Sequence, residues 1–202
     1  MEPEDYSRLI ARDLPVGVET VPLAEAVGRI LARDVPADAP IPGFATSAMD
    51  GYAFDAIGLD RAQAGDRVLV AGDIPAGHPP VEIPAGCAVR VMTGAQVPGT
   101  AEAVVPVELT DASRTGAVPV DVVVTGLPEG LRSGWNIRDV GEDTALGDVV
   151  AIGGQRLNAA GVGTLAMFGI TDVEVLRRPR IGLIVTGDEL RGPRATGPTI
   201  PN

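Results

Sequence analysis

The acids that could do chemistry in this chain sit on turns. Asp50 stands between Met49 and Gly51 in the stretch P-I-P-G-F-A-T-S-A-M-D-G-Y-A-F-D, residues 40–55. Pro40, Pro42 and Gly43 keep its lead-in out of helix, because proline fixes φ and restrains the residue before it. Asp-Gly tolerates positive φ and marks a tight turn. Phe44, Tyr52 and Phe54 can bury the flanks, which would fix the carboxylate in space. Asp143 and the pair Asp188–Glu189 also lie beside glycines, at a turn and at a strand end. Hard oxygen ligands on rigid turns suit Mg²⁺, which takes one or two carboxylates and completes its shell with phosphate and water. Thr93 and Gly94 close the run R-V-M-T-G, where a hydroxyl and a free backbone N–H can receive a phosphate or oxyanion.

Each of these residues also has a plainer reading, and residue type alone leaves both open. Acids beside glycine are common on solvated loops, and threonine is a common turn former. Arg90 is either an anion ligand or the partner of an acid. In N-I-R-D-V-G-E-D, either Asn136, Ile137 and Arg138 together orient the Glu142–Asp143 loop, or Arg138 simply pairs with those acids. Trp135 reads as packing and His78, in A-G-H-P-P, as an exposed loop residue.

The elements that must hold these groups are short. Residues 3–14 read as a helix, with Tyr6, Leu9, Ile10 and Leu14 near helical spacing. Residues 23–27 suit a short helix and 29–35 an extended run ended by Pro36. Strand-like runs follow at 67–71, 88–92, 103–109 and 118–125, cut by Gly- and Pro-bearing turns. That spacing suits a small β-barrel or sandwich. Pro106 inside an apolar run demotes it to an edge strand or a bulge. Residues 157–168 read as a helix with Gly169 as its C′ cap, and 172–176 as a strand. The apolar run 180–185 reads as a parallel strand opening into T-G-D-E-L, with a site at its carboxyl end. It and the N-terminal helix each need a partner, so they are expected to pack together.

Composition narrows the function classes. The 202 residues carry 27 acids and 16 bases, a formal net charge of −11, which argues against nucleic acid or an anionic membrane as the main partner. All the bases are arginine, so neither a P-loop lysine nor a Schiff-base lysine is available. One cysteine and one histidine, Cys87 and His78, exclude a disulfide framework or a Cys/His zinc site built from this chain. No signal peptide or long apolar run is evident, so a cytoplasmic protein is expected.

Five motifs in order carry a resemblance: P-L-A-E-A-V-G-R-I-L-A-R-D-V (22–35) leading into the Asp50 stretch, R-V-M-T-G-A (90–95), A-E-A-V-V-P-V-E (101–108), N-I-R-D-V-G-E-D (136–143) and T-G-D-E-L (186–190). Together they resemble the molybdopterin molybdenumtransferases, the family of MoeA and the gephyrin E domain. The resemblance implies an α+β, β-rich, multidomain fold. In it, residues 1–20 form a helix packed on a third domain. Residues 21–43 and 145–176 make an elongated domain for linking and dimerisation. Residues 44–144 make a β-barrel-like domain inserted in it, and 177–202 begin a molybdopterin-binding α/β domain.

The implied activity is Mg²⁺-dependent insertion of molybdate into adenylylated molybdopterin, with release of AMP. The resemblance implies Asp50, Thr93, Asp143 and Glu189 as catalytic residues. Thr93, Gly94 and Asp188 would contact substrate, and Asp50, Asp143 and Glu189 would bind metal. Both substrates are anionic, so an acidic half-site needs a bridging cation, with basic groups from elsewhere. The cleft is implied to lie between two subunits of a homodimer. Family members are considerably longer, so this chain is expected to be the amino-terminal part of a longer protein and inactive alone. The alternatives are a non-catalytic fragment or a gephyrin-like scaffold on the same fold.

Overall fold

The architecture begins with a four-residue strand that is buried on both faces. In the computed structural model, which describes residues 16–129, 131–182, 184 and 186, Gly51–Phe54 forms β4. Upstream are β1 (Val18–Pro22), β2 (Val35–Pro36) and β3 (Thr46–Ser47). Downstream come β5 (Arg67–Ile74), β6 (Ala88–Val91), β7 (Ala103–Pro106) and β8 (Asp121–Val123). The main sheet has the order β7-β4-β6-β5-β8. All its pairs are antiparallel except β5–β6, which is parallel. Period-two alternation places Tyr52 and Phe54 in one core, with Val68, Ala103, Val105 and Val122. Ala53 faces the other way, into a second core with Ile74, Ile83, Val89, Val91 and Val104.

β4 can lie between β7 and β6 because it begins with glycine. A Cβ on Gly51 would lie 2.1 Å from the Val105 carbonyl oxygen. β7 is the edge strand that Pro106 demands, and it gives way to a 3-10 turn over Val107–Leu109. The fold is β-rich as expected, but among the described residues the sheet stays open and mixed and does not close into a barrel. Its edges are covered locally: Val104 N–H donates to the Trp135 carbonyl and Asp111 N–H to the Val123 carbonyl. Phe44, expected to bury a flank, is 44% exposed, whereas Tyr52 and Phe54 are fully buried.

One helix lies in this region where only strands were expected. α1 (Ala56–Gln63) follows β4 directly, capped by Asp55, whose carboxylate accepts from Gly58 N–H at 2.8 Å. The same carboxylate accepts from Gly86 N–H at 3.0 Å, tying the helix start to the turn before β6. Leu59 and Ala62 bury its inner face against Tyr52 and Phe54. Gly58 conceals the helix in the sequence, since glycine is a poor helix former. It is needed here because a Cβ would approach the Cys87 carbonyl oxygen to 2.5 Å.

A third core lies outside the main sheet. β1 pairs antiparallel with β11 (Asp172–Leu176) from Val18↔Leu176 to Pro22↔Asp172. β2 pairs with β10 (Val149–Ala151). Val21, Leu23, Leu31, Leu157, Leu165 and Val175 bury together there. α2 (Ala159–Met167) packs on them, with Asn158 capping Gly161 N–H at 2.8 Å and Gly169 at φ +70° as its C′ residue. The helix expected over 23–27 is a single 3-10 turn, Leu23–Glu25. The run at 29–35 shortens to bridges at Ile30 and Leu31 followed by β2, and the run at 118–125 to β8.

The strand expected at 180–185 is not formed where it is described. Ile181 and Ile184 are 88% and 86% exposed, and no described segment runs beside them to supply a ladder. The helix expected over 3–14, and with it the packing of that helix on this strand, falls outside the described residues.

Two glycine substitutions separate helix propensity from packing. Gly163→Ala in α2, where a Cβ meets nothing within 4 Å, is expected to raise stability by about 1 kcal/mol. Gly58→Ala in α1 is expected to lower it by about 1–3 kcal/mol, despite the same gain in propensity. Urea unfolding of both variants measures the two signs, and a higher midpoint for Gly58→Ala would contradict the close approach to Cys87.

Candidate functional site

Three short segments are knitted around Asp50. β3 pairs on one side with β9 (Ile137–Arg138), with Thr46 opposite Arg138 and Ser47 opposite Ile137. On its other side Ser47 N–H donates to the Ala95 carbonyl at 2.9 Å, and Gly94 N–H donates to the Ser47 carbonyl at 2.8 Å. Ser47 is buried, and its hydroxyl donates to the Met49 carbonyl at 2.6 Å, which closes the bend before Asp50. Asn136 takes the left-handed conformation at φ +58°, and its side-chain amide donates to the Val104 carbonyl at 3.0 Å. Its own carbonyl accepts from Ala48 N–H at 2.9 Å.

The result is a carboxylate held by two donors. Oδ1 of Asp50 accepts from the Thr93 N–H at 2.8 Å and from the Thr93 hydroxyl at 2.9 Å. The backbone bond and then the hydroxyl bond hold the Asp50 pKa below its ordinary value; desolvation opposes them, and the Arg114 charge adds to them. Oδ2 accepts no hydrogen bond among the described residues. Asp50 is therefore an anchored, ionised acid on an exposed turn, with one oxygen open to a cation or to a donor.

This geometry corrects the expectation for Thr93 and Gly94. Neither offers a free N–H to a phosphate: both Thr93 donors are committed to Asp50, and the Gly94 N–H is committed to Ser47. The turn is a receptor for a carboxylate of this chain. Gly94, at φ +80°, supplies the backbone reversal that makes this possible.

Asp143 is placed by a different set of contacts. Its N–H donates to the Ile41 carbonyl at 2.9 Å. Its carboxylate forms an ion pair with Arg138, whose Nε also donates to Glu142 at 3.1 Å. Arg138 thus pairs with both acids of its loop. Arg90 is likewise engaged: it donates to both oxygens of Asp73, at 2.8 and 2.9 Å, from the position directly across the parallel β5–β6 ladder. That pairing holds the Asp73 carboxyl below its ordinary pKa.

No group of three or more His, Cys, Asp or Glu that could hold a metal occurs among the described residues. Asp50 and Asp143 are thus not joined there by a third acid. Asp188 and Glu189 fall outside the described residues. Sequence reasoning overlooked Ser47, and also Ser113 and Arg114, which come beside Asp50 only through the tertiary fold; Asn136, expected to help orient the Glu142–Asp143 loop, instead donates to the Val104 carbonyl and accepts from the Ala48 N–H. A Ser two residues before a turn residue is the one local signal that could have flagged Ser47.

Comparison with known proteins adds an independent line. The family model described as the MoeA N-terminal region (domain I and II) matches residues 1–169. A "Molybdopterin molybdenumtransferase 2" of Mycobacterium tuberculosis is 41% identical over 177 residues, covering 86% of this chain and 42% of the relative. A "Molybdopterin molybdenumtransferase" of Haemophilus influenzae is 37% identical, covering 87% and 41%. A crystal structure of a molybdopterin biosynthesis MoeA protein from Pyrococcus horikoshii OT3 superposes with a TM-score of 0.73 at 34% identity, over 89% of this chain and 46% of that one. The chain thus spans less than half the length of these relatives.

Because the Thr93 hydroxyl supplies the second of two bonds to Asp50, Thr93→Val is expected to raise the Asp50 pKa partway toward the ordinary carboxylate range. Thr93→Ser should keep it low. The sign for stability follows: the folded pKa is depressed, so the contribution of this pair is present above the ordinary carboxylate pKa and is lost as pH falls through the folded value. NMR titration of the Asp50 carboxyl in the three proteins measures the shift.

Proposed function

Starting from the membership of this chain in the MoeA family of molybdopterin molybdenumtransferases, through its N-terminal region, we propose that it serves molybdenum cofactor biosynthesis. The reaction proposed is Mg²⁺-dependent insertion of molybdate into adenylylated molybdopterin with release of AMP. The observation that carries the reading is the clamped carboxylate. Two hydrogen bonds from Thr93 hold one oxygen of Asp50 and lower its pKa, leaving the other oxygen open, and an ionised carboxylate is the form a hard cation requires.

In this reading Asp50 and Asp143 would each be a single carboxylate ligand for Mg²⁺, since no group of three or more acids, His or Cys that could hold a metal occurs among the described residues. Asp50 offers a free carboxylate oxygen, and Asp143 offers an exposed carboxylate that Arg138 neutralises in the absence of a cation. Mg²⁺ characteristically takes one or two carboxylates and leaves its other positions to water and substrate phosphate. When bound it would screen the charge between this acidic surface and an anionic substrate. The part played by the chain's own residues is positional. Thr93 orients Asp50, and Arg138 holds Glu142 and Asp143 in one loop conformation.

The finer placement of the site follows the same reading. Residues 21–43 and 145–176 would form the linking and dimerising domain, and 44–144 the domain that presents Asp50. The cleft would be shared between the subunits of a cytoplasmic homodimer. Glu189, as a further acid, and Asp188, as a substrate contact, would come from the α/β part that begins near residue 177. Residues 1–202 alone would then bind ligands but not turn them over, because productive geometry needs both halves. A misplacement of about 1 Å can cost roughly a hundredfold in rate.

The test compares AMP release from adenylylated molybdopterin with molybdate and Mg²⁺. In a full-length transferase carrying this N-terminal region, Asp50→Asn is expected to keep the fold and lose most turnover. Residues 1–202 alone are expected to release no AMP. Wild-type turnover in Asp50→Asn would remove Asp50 from the site, and turnover by residues 1–202 alone would place the whole site within them.

A further inference from the structure

Ser47 bonds to the sequence neighbours of both partners in the Asp50–Thr93 clamp. Toward Thr93, its carbonyl accepts from Gly94 N–H at 2.8 Å and its N–H donates to the Ala95 carbonyl at 2.9 Å. Toward Asp50, its hydroxyl donates to the Met49 carbonyl at 2.6 Å and accepts from Met49 N–H at 3.3 Å. Ser47 is only 1% exposed, so its hydroxyl works out of reach of solvent. A serine bonded to backbone groups two residues on fixes a bend.

The two kinds of bond do different things. The backbone bonds belong to a short ladder, in which Val97 N–H also donates to the Ala45 carbonyl at 2.9 Å and Thr46 bridges Gln96. Any non-proline residue at position 47 can make them. They bring residues 93–95 beside β3, but they end at Ser47, short of Asp50. On its far side Asp50 is fixed by β4, and its carbonyl accepts from Val107 N–H at 3.0 Å. Ala48 N–H is held by the Asn136 carbonyl at 2.9 Å. That leaves Met49, whose side chain is exposed and lends the bend little packing. The Ser47 hydroxyl spans this gap.

We propose that Ser47 is a positioning residue for Asp50: its hydroxyl sets the bend at residues 48–49 so that the carboxylate meets both donors of Thr93 and leaves Oδ2 open. Alanine at this position keeps the ladder and loses the bond to Met49. The bend then visits other backbone angles, and Asp50 spends less time on Thr93. Threonine keeps the hydroxyl. The consequence for turnover rests on the proposed role of Asp50, whereas the positioning itself rests on the bonds around Ser47.

The experiment reads the clamp directly, as hydrogen exchange of the Thr93 amide followed by NMR in the 202-residue chain. Asp50→Ala removes the acceptor and sets the rate of an unclamped amide. Ser47→Ala is expected to speed exchange by about tenfold toward that rate, a partial loss of a hydrogen bond to a charged acceptor. Ser47→Thr is expected to restore the wild-type rate. Gly58 N–H, held by the Asp55 carboxylate at 2.8 Å at the other end of β4, is the control and is expected not to change. Ser47→Cys, which fills nearly the same space with a weak donor, gives the same reading if Ser47→Ala does not fold. In a full-length transferase carrying this region, Ser47→Ala is expected to lower kcat by about 10–100-fold, the scale of a small misplacement.

The proposal is overturned if Thr93 exchanges at the wild-type rate in Ser47→Ala and Ser47→Cys, or if Ser47→Thr exchanges as fast as Ser47→Ala. Equal acceleration of the Gly58 amide also overturns it, because the hydroxyl would then serve general stability. Lower turnover with unchanged Thr93 exchange overturns it as well. Faster exchange with wild-type turnover upholds the positioning and removes Asp50 from the proposed reaction, so the two readings fail separately.

Discussion

The close approach of Gly51 to Val105 sets the terms for the rest of the main sheet. A strand with ladders on both edges and cores on both faces has no room for error in register, since a shift of one residue would exchange Tyr52 and Phe54 for Ala53. Glycine at the first position lets the β7 backbone come within a distance that any Cβ would forbid. β4 then fixes Asp50 at one end and Asp55 at the other. One carboxylate faces outward to an exposed site; the other turns inward to cap α1 and tie down Gly86. Two acids five residues apart thus acquire opposite roles from the two ends of one strand.

Around that strand the charge is organised in local arginine–carboxylate pairs. Arg67 meets Asp111 and Asp121, Arg90 meets Asp73, Arg138 meets Glu142 and Asp143, and Arg29 meets Glu19. The Arg67 and Arg90 pairs join segments 17 to 54 positions apart, whereas the Arg29 and Arg138 pairs lie within 10 positions. The planar fork of guanidinium suits this work better than a lysine ammonium would, because one side chain can bind two oxygens or two carboxylates at once. The exposed members contribute little to stability individually. Their consequence is electrostatic: most arginines near the Asp50 turn are already engaged, and Arg114, held by a single exposed pair, is the one best able to change partners.

The residues that build the site do so by different routes. Asp50 and Thr93 touch directly. Ser47, Gly94 and Asn136 act through hydrogen bonds to backbone groups, the Ser47 hydroxyl and the Asn136 amide among the donors, stitching β3 between two loops so that the two residues meet. A substitution at Ser47 or Asn136 would therefore act on Asp50 without contacting any ligand. Asp143 belongs to the neighbouring loop and reaches a charge partner of its own.

What the sequence determined by itself was local. Prolines and glycines marked the turns, Pro106 marked an edge strand, and Asp-Gly placed Asp50 at a bend, because each of these acts through its own φ and ψ. The motif order pointed to the family for the same reason: short turns with fixed chemistry leave a readable pattern. The tertiary structure decided everything that depends on partners distant in the chain. Thr93 lies 43 positions from Asp50, and nothing in its own neighbourhood says that both its donors will face a carboxylate rather than a substrate. α1 was hidden by Gly58, whose presence answers to the Cys87 carbonyl and not to helix propensity. Among the described residues the sheet is open, with loop carbonyls and amides meeting its two edges. Tyr52 reads in sequence as an ordinary buried aromatic; only the tertiary packing leaves its hydroxyl without a hydrogen-bond partner.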